Sequence, residues 1–385
     1  MRAFIALLAL GILVRLVLAW VFGSIVTDFP TAYDHRSYEL VAAIMERGGN
    51  VYAETYRYNY SPVWAFVLLG CSWVASWLGA PLAFVVRALL TLVDVANAGL
   101  IARLAADGHG SWRRRWVPAF GVAFLNPASV ILTGTHGQFE NLAALPLLAA
   151  VCLATRVRPA RAVLVWGLGA IALVVKHIWI FGVWTLFVYA AGSLRRAVLL
   201  MISSLAVMAL TFVPYLRDGI DGILRNVVLY RSNPELYGLR ALLPQSLGGP
   251  VAVALFVEAL PIVPFLCRRL RVSLPRALAI SSIALLVLIP GVGFQYFAVP
   301  VIVGALYAGV GFWTYSIAAS AFMVLGLAGA LPPDTSLWQV PWLAALFWLA
   351  LEARSVRSAL RRPQQHRDAW PVLAWLQRLQ PSPAP

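Results

Sequence analysis

Long apolar runs separated by short polar breaks fill almost the whole chain, and the runs have the length of membrane-spanning helices. A span needs about 20 apolar residues, somewhat fewer where a bundle buries part of it. The pattern predicts spans at 3–23, 83–104, 117–134, 140–156, 162–175, 177–192, 197–214, 250–268, 275–290, 293–311, 313–330 and 340–353. One early stretch, 27–64, breaks the pattern. It is polar and rich in tyrosine, and it carries Asp28, Asp34, Glu39, Glu46 and Glu54, five of the fifteen acidic residues. Residues 37–47 within it have the amphipathic period of a helix lying on a boundary, closed by Gly48-Gly49.

Composition turns this pattern into a class. With 61% hydrophobic residues, 12% charged residues and a mean hydropathy of +0.81, no polar surface would cover a soluble globule of this chain. The expected fold is an all-α polytopic membrane protein of about 11–13 helices. A net charge of +15 raises the question of nucleic acid, but the basic residues fall in short clusters between apolar runs. Arg113 to Arg115, Arg156 with Arg158 and Arg161, Arg195 with Arg196, Arg268 with Arg269 and Arg271, and 354–362 form the pattern of cytoplasmic loops; no nucleic-acid partner is expected. If 62–79 crossed the membrane, Arg113 to Arg115 and every later cluster would move outside. Parity therefore makes 62–79 a re-entrant or interfacial helix, or else one neighbouring pair is broken; with 62–79 excluded both termini are cytoplasmic, and a bacterial inner membrane is the expected location.

The resulting order is a transmembrane module over 1–214 with external loop 24–61, an external juxtamembrane loop over 215–250, a second transmembrane module over 251–362 and a cytoplasmic tail over 363–385. The tail, with two tryptophans and a proline-rich end, reads as a surface-lying helix or a frayed terminus. The first apolar run is too long for a signal peptide and has no small-residue cleavage site. Cys71, Cys152 and Cys267 lie apart in apolar surroundings, as packing residues do.

The chemistry concentrates where the chain leaves the bilayer on one side. Asp28 and Asp34 follow the first span, and a carboxylate at a membrane boundary gains basicity when partly desolvated. A single loop acid is as easily a solvated surface group. What distinguishes Asp34 is its company: His35, Arg36, an amphipathic helix, then Tyr52, Tyr56, Arg57, Tyr58 and Tyr60, a mixture suited to a carbohydrate or a lipid phosphate. A tight turn places His136, Gln138, Glu140 and Asn141 at one depth near the same boundary, to bind sugar hydroxyls or to cap the next helix. Lys176 interrupts an apolar stretch and needs an anion or water, and His177 beside it is the weaker candidate. In the second loop Arg225, Arg231 and Arg240 run against the positive-inside bias, which a bound phosphate or local salt bridges would explain. Asp94, inside a span, reads as a structural partner of Arg87 or Asn97.

Three stretches resemble a family. Asp34, a helix, Gly48-Gly49-Asn50-Val51-Tyr52, then Thr55-Tyr56-Arg57-Tyr58 and Ser61-Pro62 resemble the first luminal loop of glycosylphosphatidylinositol mannosyltransferase I catalytic subunits, members of the GT-C superfamily. Asp34 falls on the second acid of that family's Asp-x-Asp pair, with Ala32 at the first. Asn126-Pro127 followed by Thr135-His136-Gly137-Gln138-Phe139-Glu140-Asn141 is similar to the Asn-Pro and Asp-His-Gly-His segment of GT-C glucosyltransferases. Gln295-Tyr296 with Pro300 is similar to a Gln-Tyr-Phe and Pro turn of the mannosyltransferases, whose preceding His-Glu is here Gly293-Phe294.

The resemblance implies a GT-C-type bundle and an inverting transfer of a mannose-like hexose from a polyprenyl-phosphate donor to an extracytoplasmic lipid or glycan acceptor. It makes Asp34 the base, with Asp28 as its alternate. Lys176, Arg231, Arg240 and Arg225 would hold the donor phosphate. Arg57, Tyr56, Tyr58, His136, Gln138, Glu140, Gln295 and Tyr296 would shape the sugar and acceptor pockets. No cofactor is needed, and the acidic loop leaves a metal open. The rival readings are a transporter or flippase of lipid-linked sugars, and an oligosaccharide polymerase or ligase.

Overall fold

A computed structural model describes residues 2–25, 33–106, 112–155, 162–230, 237–331 and 336–361. Every regular element among them is a helix. Asp28, Arg231 and the tail 363–385 lie outside the described residues. The chain starts with α1 (Arg2–Trp20), which runs on through Val21–Ile25 as one apolar span of about 36 Å. The polar stretch holds α2 (Tyr33–Glu46), α3 (Val51–Glu54) and the first part of α4 (Pro62–Leu78). The long α5 (Leu82–Ala106) packs against α1. Next come α6 (Trp112–Phe124) and α7 (Pro127–Ile131), the latter continued by Leu132–His136. These two halves are bent by 47° at Asn126-Pro127, the geometry of a broken span or of a re-entrant loop. Proline supplies no backbone donor there, and the Asn126 side chain caps the second half by accepting from Ala128 N at 3.0 Å.

Shorter apolar helices then pass back and forth: α8 (Glu140–Ala154), α9 (Ala162–Val175), α10 (Ile180–Ala190) and α11 (Leu194–Leu210). The expected loop from 215 begins as a helix instead, because α12 (Leu216–Ile223) and Leu224–Val228 prolong α11 into a run of 35 residues. After α13 (Gly238–Leu242), the span expected from 250 starts earlier, in α14 (Gln245–Arg269), whose early glycines and proline weaken the apolar signal. The remaining helices are α15 (Leu274–Leu288), α16 (Val299–Gly304), α17 (Val310–Leu327) and α18 (Gln339–Arg361).

Among the described residues, five helical runs are long and apolar enough to cross a membrane, six with the bent pair. Burial separates rim from centre. Only 17% of the apolar window of α1, and 17% of that in 194–228, is buried, against 56% in α5 and 50% in α17. Leu13, Val17, Leu199, Ile202, Val257 and Ile262 face outward, as lipid-facing side chains do. Cys71, Cys152 and Cys267 are buried free thiols.

The geometry of α4 follows from what its two ends touch. At its start, Trp64 stacks on Phe139 with ring centroids 3.8 Å apart. Just beyond its end, Phe84 lies against Gly23 at the end of the first span, and Arg87 bonds Thr135 O in the turn that carries Phe139. Both ends therefore return to one end of the bundle. Next to it α2 runs parallel, since Tyr38 pairs with Trp64 and Glu46 accepts from Ser72. The outward face of α4 carries Phe66, Trp73 and Trp77, rings suited to a lipid–water boundary. Arg268, which donates to Val188 O at 2.5 Å, and the Arg276–Glu352 pair at 2.8 Å mark the opposite end.

One buried ion pair ties the centre together. Arg15, inside α1, donates through Nε to Asp94 Oδ2 of α5 at 3.1 Å. Asp94 also accepts from Ser129, Thr133 and Asn141. The sequence-based expectation pairs Asp94 with Arg87 or Asn97. Instead Arg87 serves Thr135 O and His35, and Asn97 donates to Asn141 O.

Candidate functional site

The turn between α7 and α8 is the anchor of the site. Gly137 ends it with φ +68°, a conformation that favours glycine, and an added Cβ would stand 2.7 Å from His35 Cε1. Behind it, the Arg87 guanidinium donates to Thr135 O twice, at 3.1 and 2.6 Å, and to Phe22 O at 3.2 Å. Arg87 Nη2 lies 2.6 Å from His35 Nε2, which must accept. Burial, then the adjacent Arg87 charge, hold His35 well below its ordinary pKa, so it stays neutral.

The polar loop is fastened from two sides. Tyr52 donates to Tyr60 O at 2.7 Å, and Tyr58 OH bonds both Ser61 O and Ala65 N, which fills its hydrogen-bonding capacity. From the second loop, Asn226 donates to Thr55 O at 3.3 Å, while Asn50 donates to Tyr215 O at 3.1 Å. α12 approaches so closely that a Cβ on Gly222 would fall 1.8 Å from Tyr52 O, so only glycine fits.

Asp34 stands in the first turn of α2, where the helix dipole favours an anion. Its Oδ2 accepts from Gln138 Nε2 at 2.8 Å, with His136 Nε2 at 3.8 Å. Gln138 Oε1 accepts from Lys176 Nζ at 3.2 Å, and the same ammonium donates to Glu140 Oε1 at 2.5 Å. Asp34 is partly exposed, while Gln138, Glu140 and Lys176 are buried.

Asp34 opens into a cavity of about 460 Å³, joined to an outer groove of about 830 Å³ through a shared wall of Tyr56, Arg57, Arg225 and Asn226. Exposure orders the inner cavity. Tyr38, His136, Tyr58 and Tyr60 form a buried floor, whereas Tyr33, Tyr56 and Arg225 are exposed at the mouth. The Tyr38 hydroxyl and His136 Nδ1 are buried without a hydrogen-bond partner among the described residues, although such groups normally have one. Burial, then the charges of Asp34 and Glu140, hold Tyr38 well above the ordinary phenol pKa, so it is a neutral hydroxyl. At the mouth, Arg57 stacks over Tyr33 at 4.3 Å and Arg225 bonds the Asn226 side chain; neither pairs with a carboxylate among the described residues.

Of the residues expected at the site, Asp34, Tyr56, Arg57, Tyr58, His136, Arg225 and Gln295 line the cavity. Gln138 bonds Asp34 from behind. Lys176, Glu140 and Tyr296 do not line it; Lys176 and Glu140 pair with each other in the interior. Arg240 lies across the start of α14, 3.8 Å from where a Gly249 Cβ would be, away from both cavities.

Tyr38, Asn59, Tyr230 and Trp338 were not anticipated. The helix expected over 37–47 starts at Tyr33 in the structure, and this puts Tyr38 four residues after Asp34 on one face of α2. Among the described residues no three His, Cys, Asp or Glu side chains converge as metal ligands. No family model, curated protein or solved structure matches the chain.

Proposed function

We propose that the protein is an inverting glycosyltransferase that moves a hexose from a polyprenyl-phosphate donor to a lipid or glycan acceptor. The observation that carries the reading is the set of groups gathered in one cavity. Asp34 opens into it beside the Tyr38 hydroxyl and His136 Nδ1, which have no hydrogen-bond partner among the described residues, and the guanidiniums of Arg57 and Arg225, without carboxylate partners among those residues, line the same cavity. A sugar phosphate offers the matching groups, hydroxyls and an anion.

In this reading Asp34 takes the proton of an acceptor hydroxyl. The oxygen forms its bond to the anomeric carbon as the bond from that carbon to the lipid phosphate breaks, and the electron pair leaves with the phosphate. Arg57 and Arg225 stabilise the departing charge, with Arg225 retained and Arg57 added relative to the expected phosphate ligands. Tyr38 and His136 satisfy sugar hydroxyls. Because Arg268 and Arg276 lie at the other end of the bundle and basic clusters mark the cytoplasmic side, the site faces away from the cytoplasm in this reading.

The flippase reading has one observation in its favour, the bent span beside a buried Arg15–Asp94 pair. Four partners already occupy Asp94, however, so the pair is better suited to holding helices together.

The mouth arginines supply a direct test. Arg57→Ala and Arg225→Ala are each expected to weaken binding of polyprenyl phosphate, without any sugar, by about tenfold or more, as loss of a charge-assisted hydrogen bond does. Affinity measured by fluorescence in nanodiscs reads this out. Unchanged affinity in both variants removes the donor from this cavity.

A further inference from the structure

Lys176 looks from the sequence like a phosphate ligand, yet its surroundings are complete without one. An ammonium has three protons and accepts nothing. Lys176 donates to Glu140 Oε1 at 2.5 Å and to Gln138 Oε1 at 3.2 Å. Its remaining side meets two aromatic faces, Phe139 at 4.1 Å and Tyr60 at 5.0 Å, which attract cations in their own right. Tyr60 lines the cavity and Lys176 does not.

What the ammonium does reach is Asp34, through one amide. The oxygen and NH2 ends of a glutamine are nearly the same shape, so packing alone barely chooses between them. With Lys176 donating to Gln138 Oε1, the NH2 group is the end turned to Asp34 Oδ2, at 2.8 Å. A flip would set oxygen against carboxylate and NH2 against ammonium, two repulsions at once. Glu140 holds the ammonium in place, and its backbone carbonyl is itself fixed by Trp179 Nε1 at 2.9 Å. Asp34 Oδ1 has no hydrogen bond to the described residues.

We infer that Lys176 is a positioning residue that acts on Asp34 through Gln138, and that it does not bind the donor phosphate. The buried Glu140–Lys176 pair orients the amide, the amide holds Oδ2, and Oδ1 is left to meet the acceptor hydroxyl. This role rests on the glycosyl-transfer reading above.

The test is a mutant cycle. Lys176→Met alone would strand a buried carboxylate, so Glu140→Gln/Lys176→Met removes both charges together. Where that pair does not fold, Glu140→Gln/Lys176→Gln, with amides at both positions, replaces it. The double variant is expected to lower kcat about 10- to 100-fold, the range seen when outer partners of a reacting group are lost. Donor KM should stay within about twofold of wild type. In a Gln138→Leu background, which lowers kcat by itself, the double substitution should cost nothing further, because Lys176 acts only through the missing amide. A tenfold rise in donor KM, or losses that multiply with Gln138→Leu, overturns the positioning role while leaving the transferase reading intact. Wild-type protein that neither binds nor turns over a polyprenyl-phosphate sugar overturns that reading, and this role with it.

Discussion

Asp34→Asn is expected to lower sugar transfer by about 100- to 10,000-fold, the contribution of a positioned general base, while donor affinity stays within about twofold. The substitution is close to isosteric, and an asparagine oxygen can still accept from Gln138 Nε2, which now lies 2.8 Å from Asp34 Oδ2. The missing capacity is the acceptance of a proton. Among the described residues no other carboxylate lines the cavity floor: His136 Nε2 is 3.8 Å from Asp34, and Glu140 is engaged with Lys176. Single-turnover transfer and equilibrium donor binding, measured on the same preparations, separate the two effects. Equal loss of binding and transfer would make Asp34 a donor ligand, and full activity would remove it from the chemistry.

The second large effect is on stability. Arg15→Met and Asp94→Leu, made singly, are each expected to destabilise the protein by about 3–5 kcal/mol, because each leaves a buried charge without its partner. The double substitution should recover most of that loss, since both charges go together. The pair also reaches the site. Arg15 and Asp94 both bond Thr133, and Asp94 holds Asn141, so between them they clamp the two ends of the turn that presents His136, Gln138 and Glu140. Unfolding midpoints in detergent for the two single variants and the double variant measure the coupling. Singles as stable as wild type would mean that water or another group compensates the stranded charge.

The class of fold was legible because hydropathy over 20 residues is a strong signal, but against the twelve expected spans only five helical runs among the described residues, six with the bent pair, are long and apolar enough to cross a membrane, and the expected span 293–311 is broken into Phe294–Ala298, α16 and Ala305–Tyr307. Charge parity sets 62–79 apart in the sequence, and in three dimensions Trp64 at its start and Arg87 beyond its end reach the same turn. Boundaries of the second loop were less legible, because α11 runs on into α12 with exposed apolar residues such as Leu216, Ile220 and Leu224.

At the site, the sequence brought Asp34, Arg57 and His136 together because each is a polar exception in an apolar chain. It could not show which exceptions meet. Lys176 had an unmet need for an anion, and a buried carboxylate in the neighbouring turn satisfies it as well as a phosphate would. Arg15 gave the same kind of signal, a guanidinium inside an apolar run, and its partner was 79 residues away. Tyr38 was hidden for the opposite reason, since one more tyrosine in a tyrosine-rich stretch carries little information.

Purified protein in liposomes, supplied with a panel of polyprenyl-phosphate sugars and a lipid or glycan acceptor extract, tests the central claim most directly. The account expects release of polyprenyl phosphate together with labelled product from one donor sugar, with inversion at the anomeric carbon and loss of both signals in Asp34→Asn. Movement of intact sugar lipid between leaflets, with no release of polyprenyl phosphate and no dependence on Asp34, would contradict it and favour a flippase.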